Sequence, residues 1–259
     1  MTTRVLVTGA AGRIGTLLCP RLHRPGRVLR LLDVAPVSGP EVVQASITDL
    51  PAMEAACEGV DAVIHLAGLS REHPWPEIVE TNITGTYTVF EAARRQGVRR
   101  VIYASSLHAV GYVPVPDGGE VGDDEYPRPD TYYGVSKVAG EALGSLYADR
   151  YGMEVICVRI ASFGARPETV RHLGSWLSPD DAGRLFEACL TAPCSGFRTV
   201  WGVSDNTRRW FALRAAEDLG YKPQDDAEAY AAEILDRGDP PPDNTHIGGN
   251  WSIREEPRR

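Results

Sequence analysis

The run Arg4-Val5-Leu6-Val7-Thr8 passes directly into Gly9-Ala10-Ala11-Gly12-Arg13-Ile14-Gly15 and then into a helical pattern, and no other segment restricts the fold as much. Strand, glycine turn and helix in that order build a phosphate cradle. Gly9 gives a sharp turn, Gly12 lets the backbone approach closely, Gly15 allows tight packing, and helix amides point at an anion. Gly9, Gly12, Arg13, Ile14 and Gly15 are therefore candidate cofactor residues. A second strand, Val28-Leu29-Arg30-Leu31-Leu32, ends at Asp33, eighteen residues beyond Gly15. A carboxylate there can accept hydrogen bonds from both adenosine ribose hydroxyls and would repel a 2′-phosphate, so NAD is expected rather than NADP. The plainer reading of Asp33 is a loop cap.

The alternation continues with an apolar strand at Ala62-Val63-Ile64-His65-Leu66, a helix from about Ile78 to Gln96, and a strand at Val101-Ile102-Tyr103-Ala104. Strands alternating with helices predict an α/β fold: a doubly wound parallel Rossmann sheet with a small C-terminal substrate-binding region. The expected division is a dinucleotide-binding domain over 1–163, a late strand near 199–203 rejoining the sheet, and a substrate lid over 164–259. Ala67 and Gly68, directly after Leu66, would let a cofactor ribose lie against backbone. His65 reads as a satisfied core histidine in preference to a catalyst. Asn82 either holds backbone near the site or faces solvent.

Composition narrows the class. With 259 residues, 43% apolar and 24% charged, the chain is long enough for a sizeable core and ordinary for a folded protein. A net charge of −8 argues against nucleic acid and anionic membranes as partners. Met1-Thr2-Thr3-Arg4-Val5 enters a strand without a signal peptide, and no apolar stretch is long enough to span a bilayer, so a cytoplasmic location is expected. Five cysteines scattered singly, with no histidines at ligand spacing, predict reduced thiols and no metal. Pro240-Pro241-Pro242 marks a stiff connection near the C-terminus.

The chain has only two lysines, and one of them, Lys137, follows Tyr133 by four residues. On a helix the two share a face. A phenol with an ordinary pKa of ~10 is a poor base at neutral pH, and lowering it by ~3 units takes ~4 kcal/mol. One ammonium ~4 Å away at an effective dielectric of ~20 supplies about that. Ser105-Ser106 ends the fifth strand, where ligands bind in such sheets. Ser106 is thus placed to orient a substrate hydroxyl while Tyr133 takes its proton, whereas Ser105 could equally be a helix cap.

Together, Thr8-Gly9-x-x-Gly12-x-x-Gly15, Asp33, His65-Leu66-Ala67-Gly68, Asn82 with Gly85-Thr86, Ser105-Ser106 and Tyr133-x-x-x-Lys137 resemble the extended short-chain dehydrogenase/reductase superfamily, also called the NAD-dependent epimerase/dehydratase family. The resemblance implies that Tyr133 is the catalytic base, Lys137 the ribose-binding cation and Ser106 the substrate-orienting hydroxyl. It adds Ser46, Ile47, Leu66, Ala67, Gly68, Asn82, Tyr133 and Lys137 to the NAD site. Relatives often dimerise through the helices after Asn82 and Tyr133, which allows a homo-oligomer. Further segments, among them Ala67-Gly68-Leu69-Ser70, Ser106-Leu107-His108-Ala109-Val110-Gly111-Tyr112 and Arg171-His172-Leu173-Gly174-Ser175-Trp176-Leu177-Ser178, resemble the uronate dehydrogenases, a compact branch that oxidises sugar acids at C1.

That likeness puts Ser70, Ser106, Leu107, His108, Tyr133, Ser162 and Arg171 around the sugar. A carboxylate substrate independently favours a permanently charged fork such as Arg171, whose plainer role is to snorkel over Trp176. Trp176, Trp201, Trp210 and Trp251 read as packing. The chain departs from the uronate pattern twice, with Leu107 in place of an asparagine and Ala45-Ser46-Ile47 in place of an aspartate. The leading expectation is NAD-dependent oxidation of a uronate to its aldarolactone. The alternatives are an epimerase, a dehydrogenase of another small hydroxylated molecule, and a non-catalytic NAD sensor, the last disfavoured by the intact Tyr133 and Lys137.

Overall fold

The computed structural model describes residues 3–238 and 245–251, so Met1, Thr2, Pro240-Pro241-Pro242 and the side chain of Trp251 lie outside the described residues. Seven strands form one parallel sheet: β1 (Thr3–Thr8), β2 (Arg27–Asp33), β3 (Glu41–Gln44), β4 (Ala62–His65), β5 (Arg100–Ser106), β6 (Glu154–Ile160) and, after a two-residue pair β7 (Ser162–Phe163) with β8 (Trp176–Leu177), β9 (Phe197–Gly202). Their order is β3-β2-β1-β4-β5-β6-β9, with the switch point between β1 and β4. Ligands bind at such a switch, beyond the carboxyl ends of the strands.

Strand alternation sends side chains to two faces. Val5 and Val7 join Ile64, Ile102 and Val158 in one apolar cluster, while Leu6 joins Val63, Val101 and Val155 in the other. Five α-helices pack on the N-terminal strands: α1 (Arg13–Leu18), α2 (Leu50–Cys57), α3 (Trp75–Glu77) leading through a π-helical stretch (Ile78–Thr84) into α4 (Gly85–Arg95), and α5 (Tyr132–Tyr151). Helices α2, α4 and α5 supply Met53, Phe90 and Tyr147 to the second cluster. The first cluster extends to Phe186 of α7 (Pro179–Thr191), which follows the short α6 (His172–Ser175), and on to Tyr221 and Ile247. Residues after 163 thus share a core with the sheet.

The helix expected from Ile78 to Gln96 starts at Trp75 and is broken by the π-helical stretch, ending at Arg95 with Gln96 as its cap. No periodicity rule marks that widened turn, because it depends on what Asn82 meets across the fold. Helix α5 is capped at its start by Thr131, whose side chain accepts from Gly134 N, and at its end by Gly152 with φ +67. It lies close on the sheet because Gly140 faces Tyr103, where a Cβ would collide with the phenol.

Candidate active site

Gly9 turns the chain at φ +74, and a Cβ on it would come within 2.6 Å of Ala67 N. A Cβ on Gly15 would collide with the Gly9 carbonyl oxygen, whereas one on Gly12 would meet only that oxygen, at 3.1 Å. The loop is therefore tight against β4 and α1 and open only above Gly12, which is the shape a pyrophosphate needs. Beside it lies a cleft of about 370 Å³ lined by Gly9, Gly12, Arg13, Ile14, Gly15, Asp33, Ser46, Ile47, Leu66, Ala67, Gly68 and Ser70, together with Thr81, Val34 and Ala35, which sequence reasoning missed. Asp33 accepts from Ala11 N at 2.9 Å and from Ala35 N at 3.0 Å, which fixes its carboxylate beside the cleft with lone pairs to spare. The donors and shape present fit a dinucleotide. Ser46 bonds Thr48 Oγ1 at 2.8 Å, and Asp49 caps α2.

Tyr133 lies in the first turn of α5 and Lys137 one turn on. The Ser106 hydroxyl accepts from His108 N at 3.2 Å, and its side chain lies near enough to the Tyr133 phenol to favour the phenolate. Lys137 Nζ donates to Ala104 O at 2.8 Å and stands 5.0 Å from the centre of the Tyr103 ring and 5.3 Å from that of Tyr133. Sequence reasoning expected the ammonium to bring the phenol down. Instead, burial pushes Tyr133 up to about 12, against the lowering effect of Ser106, and pulls Lys137 down to about 8. In this buried place desolvation of the charged forms decides both directions.

His108 packs edge-on to Tyr133 at 5.9 Å, and its Nδ1 meets both oxygens of the buried Asp130 at 3.0 Å. Leu107 belongs to the main apolar cluster. Ser162 Oγ bonds Ser175 Oγ at 2.8 Å, and Ser175 donates to Arg171 O at 3.1 Å, so these three residues form one chain. Arg171 stacks over Trp210 at 4.9 Å, not over Trp176, and reaches the Ile247 carbonyl. Trp176 is instead buried and donates to Gly164 O at 2.8 Å. Arg13 extends from the glycine turn toward Gly164, where a Cβ would lie 2.9 Å from Nη2.

Two residues left with open roles are settled by their partners. His65 is buried between Thr8 Oγ1 at 2.8 Å and Thr86 Oγ1 at 3.1 Å, and burial beside Lys137 pushes it down to about 3, so it is a neutral core histidine. Asn82 is 2% exposed and holds backbone at Leu69, which excludes the solvent-facing reading. Sequence reasoning also missed Glu72, which accepts from Tyr132 N and Tyr133 N at 3.0 Å, and Asp130. No local signal marks Glu72, which lies 60 residues before the helix whose first amides it accepts.

A seven-stranded parallel sheet with a glycine turn at its switch point and a phenol and ammonium beside it defines a Rossmann-type, dinucleotide-dependent class of protein. The model of the NAD dependent epimerase/dehydratase family matches residues 5–179, and the chain belongs to that family. It is 42% identical over 258 residues to a uronate dehydrogenase of Pseudomonas putida, covering 96% of each chain. It is 39% identical over 257 residues to an NAD-dependent glucose-6-phosphate dehydrogenase of Haloferax volcanii, covering 90% of this chain and 97% of the relative. Among solved structures, a mutant uronate dehydrogenase from Agrobacterium tumefaciens complexed with NAD superposes with a TM-score of 0.92 at 39% identity, covering 100% of both chains.

Proposed function

We propose that this chain is an NAD-dependent uronate dehydrogenase that oxidises the C1 hydroxyl of a free sugar acid to the aldarolactone. The observation that carries the reading is the Ser106, Tyr133 and Lys137 cluster at the carboxyl end of β5, beside a glycine cradle, in a chain similar to uronate dehydrogenases over nearly its whole length. NAD would be held by the backbone of Gly9, Gly12 and Gly15, by Arg13 and Ile14, and by Asp33 at the ribose, with Ser46, Ile47, Leu66, Ala67 and Gly68 lining the rest of the cleft and Asn82 serving it through the Leu69 backbone. When bound, it supplies the acceptor for the hydride that leaves C1.

Tyr133 takes the proton of the C1 hydroxyl while Ser106 holds that oxygen in line. Only the phenolate can take that proton; burial holds the phenol near 12, so it must first give up its own, and the Lys137 ammonium 5.3 Å from its ring is the cation placed to favour that ionisation. Ser70, Leu107, His108 and Ser162 form the sugar pocket, and Arg171 meets the substrate carboxylate as a bidentate fork. The reading includes a cytoplasmic location, supported by five free cysteines, and a homo-oligomer, supported by family likeness alone. Among the described residues no helix is long and apolar enough to cross a membrane.

The test is NADH formation against a panel of uronates and aldoses, with Tyr133→Phe as control. Galacturonate or glucuronate should be oxidised, and the variant should lose turnover by roughly a hundredfold or more while still binding NAD. Undiminished turnover in Tyr133→Phe would refute the mechanism. A second reading, dehydrogenation of another small sugar, is favoured by the apolar Leu107, since losing one hydrogen-bonding group there shifts preference by ~1 to 3 kcal/mol. A panel winner without a carboxylate would establish it.

A further inference from the structure

Tyr133, Lys137 and Glu141 follow one another at intervals of four along α5, so they share one face of the helix. The chemistry above uses the first two and leaves Glu141 without a task. That face meets β5 at two successive residues: Lys137 Nζ donates to Ala104 O at 2.8 Å, and the Ser105 hydroxyl donates to Glu141 Oε1 at 2.6 Å. Ser105 is in register with Arg159 of β6, whose Nε and Nη2 each donate to the Glu141 carboxylate at 2.9 Å. Arg159 and Glu141 side chains are 3% and 6% exposed, and Arg159 is tied further by Nη1 to Glu125 O at 3.0 Å. A buried ion pair is a weak way to stabilise a fold, because desolvation consumes most of the attraction and apolar side chains of similar volume often do as well. Its place beside the lysine gives it a different use.

We infer that Glu141, fixed by Ser105 and Arg159, is a positioning residue that keeps the Lys137 ammonium charged and held on the face it shares with Tyr133. This rests on the proposed function in that it assigns a task to the same lysine. The groups around Lys137 are Tyr133 and Glu141 on α5, Tyr103 on β5, Cys157 and Arg159 on β6 and His65 on β4. Burial lowers Lys137, and Cys157 and Glu141 oppose it. Burial also pushes Cys157 and Tyr103 well up and His65 down to about 3, so all three are uncharged near neutrality. Glu141 is then the anion that remains to counter the desolvation of Lys137.

The experiment measures NAD affinity by calorimetry and uronate turnover across pH for wild type and Glu141→Gln. Lys137 is charged below its pKa and loses its charge as pH rises, so both readouts should fall on the alkaline side. Removing the carboxylate lowers that pKa and should move both alkaline midpoints down by about 1 pH unit. Glu141→Asp should restore most of the shift. If Glu141→Gln does not fold because Arg159 is left unpaired, the double variant Glu141→Gln/Arg159→Met should show a smaller shift in the same direction. An unmoved NAD midpoint in either folded variant overturns the inference, since a purely structural role would change melting temperature and leave the midpoint alone. A wild type that binds NAD and leaves uronates untouched sinks the substrate reading, while the NAD titration still judges Glu141.

Discussion

Asn82 and Leu69 exchange two hydrogen bonds: Oδ1 accepts from Leu69 N at 2.7 Å, and Nδ2 donates to Leu69 O at 3.0 Å. The same Nδ2 donates to Ser136 Oγ at 3.0 Å, in the residue before Lys137. One side chain on a π-helical turn therefore ties the cleft loop after β4 to the helix that carries Tyr133. Such turns are frequent at functional sites because they redirect a side chain without ending the helix.

Asn82→Ala leaves the Leu69 amide and carbonyl without these partners, and at ~1 to 3 kcal/mol for a buried group left unsatisfied it should destabilise the protein by about 3 kcal/mol. For a chain of this size that is a fall in melting temperature of roughly 6 to 12 °C, readable by calorimetry. NAD affinity should fall as well, because Leu69 lines the cleft. A melting point within a degree of wild type would mean that the loop is held elsewhere.

Glu72 closes the same loop at its other end by accepting from Tyr132 N and Tyr133 N, two amides of the first turn of α5. Carboxylates are favoured at a helix N-terminus by about 0.3 to 1 kcal/mol when exposed, so Glu72→Ala should cost little stability. Its larger effect should fall on KM for the sugar acid, since the loop that carries Ser70 loses its clasp on the start of α5. A rise in KM of several-fold with NAD affinity unchanged is expected from steady-state kinetics.

What the sequence made legible follows from how local each signal is. The Gly9, Gly12 and Gly15 spacing, the placement of Asp33 at a strand end and the Tyr133 and Lys137 interval are each set by one element, and the structure has the elements the pattern predicts. Asn82 was ambiguous because its partners, Leu69 and Ser136, lie 13 and 54 residues away. The behaviour of Tyr133 was misjudged because a Coulomb argument counts the nearby ammonium, while burial decides the direction. Arg171 is five residues from Trp176 in sequence and 39 from Trp210, and only the packing of the C-terminal residues selects Trp210.

His65 gives a pH prediction with a definite sign. Its folded pKa is pushed down to about 3 from an ordinary 6.5, so the unfolded chain binds a proton that the folded chain refuses. The associated stability is complete above 6.5 and is lost as pH falls toward 3, at ~1.4 kcal/mol per unit, or about 2 kcal/mol by pH 5. Denaturant titrations at pH 7.5 and 5.0 should show that His65→Gln, though weaker at the higher pH, loses about 2 kcal/mol less between the two than wild type does. Equal losses in both proteins would place the acid sensitivity in other groups.

Asp33 offers the sharpest test of cofactor choice, since its two readings predict opposite results. As a loop cap it already has two amides, Ala11 N at 2.9 Å and Ala35 N at 3.0 Å, and removing the carboxylate would cost only local order. As the ribose acceptor it makes charge-assisted bonds to both hydroxyls and repels a 2′-phosphate, with each such bond contributing about 1.5 to 3 kcal/mol. Asp33→Ser keeps a polar side chain at the loop and removes the charge. If the carboxylate reads the ribose, the ratio of kcat/KM for NAD over NADP should fall by at least tenfold, with NAD weakened and NADP improved together. An unchanged ratio would leave Asp33 a cap and move cofactor discrimination to Val34 and Ala35, the neighbours that line the same cleft.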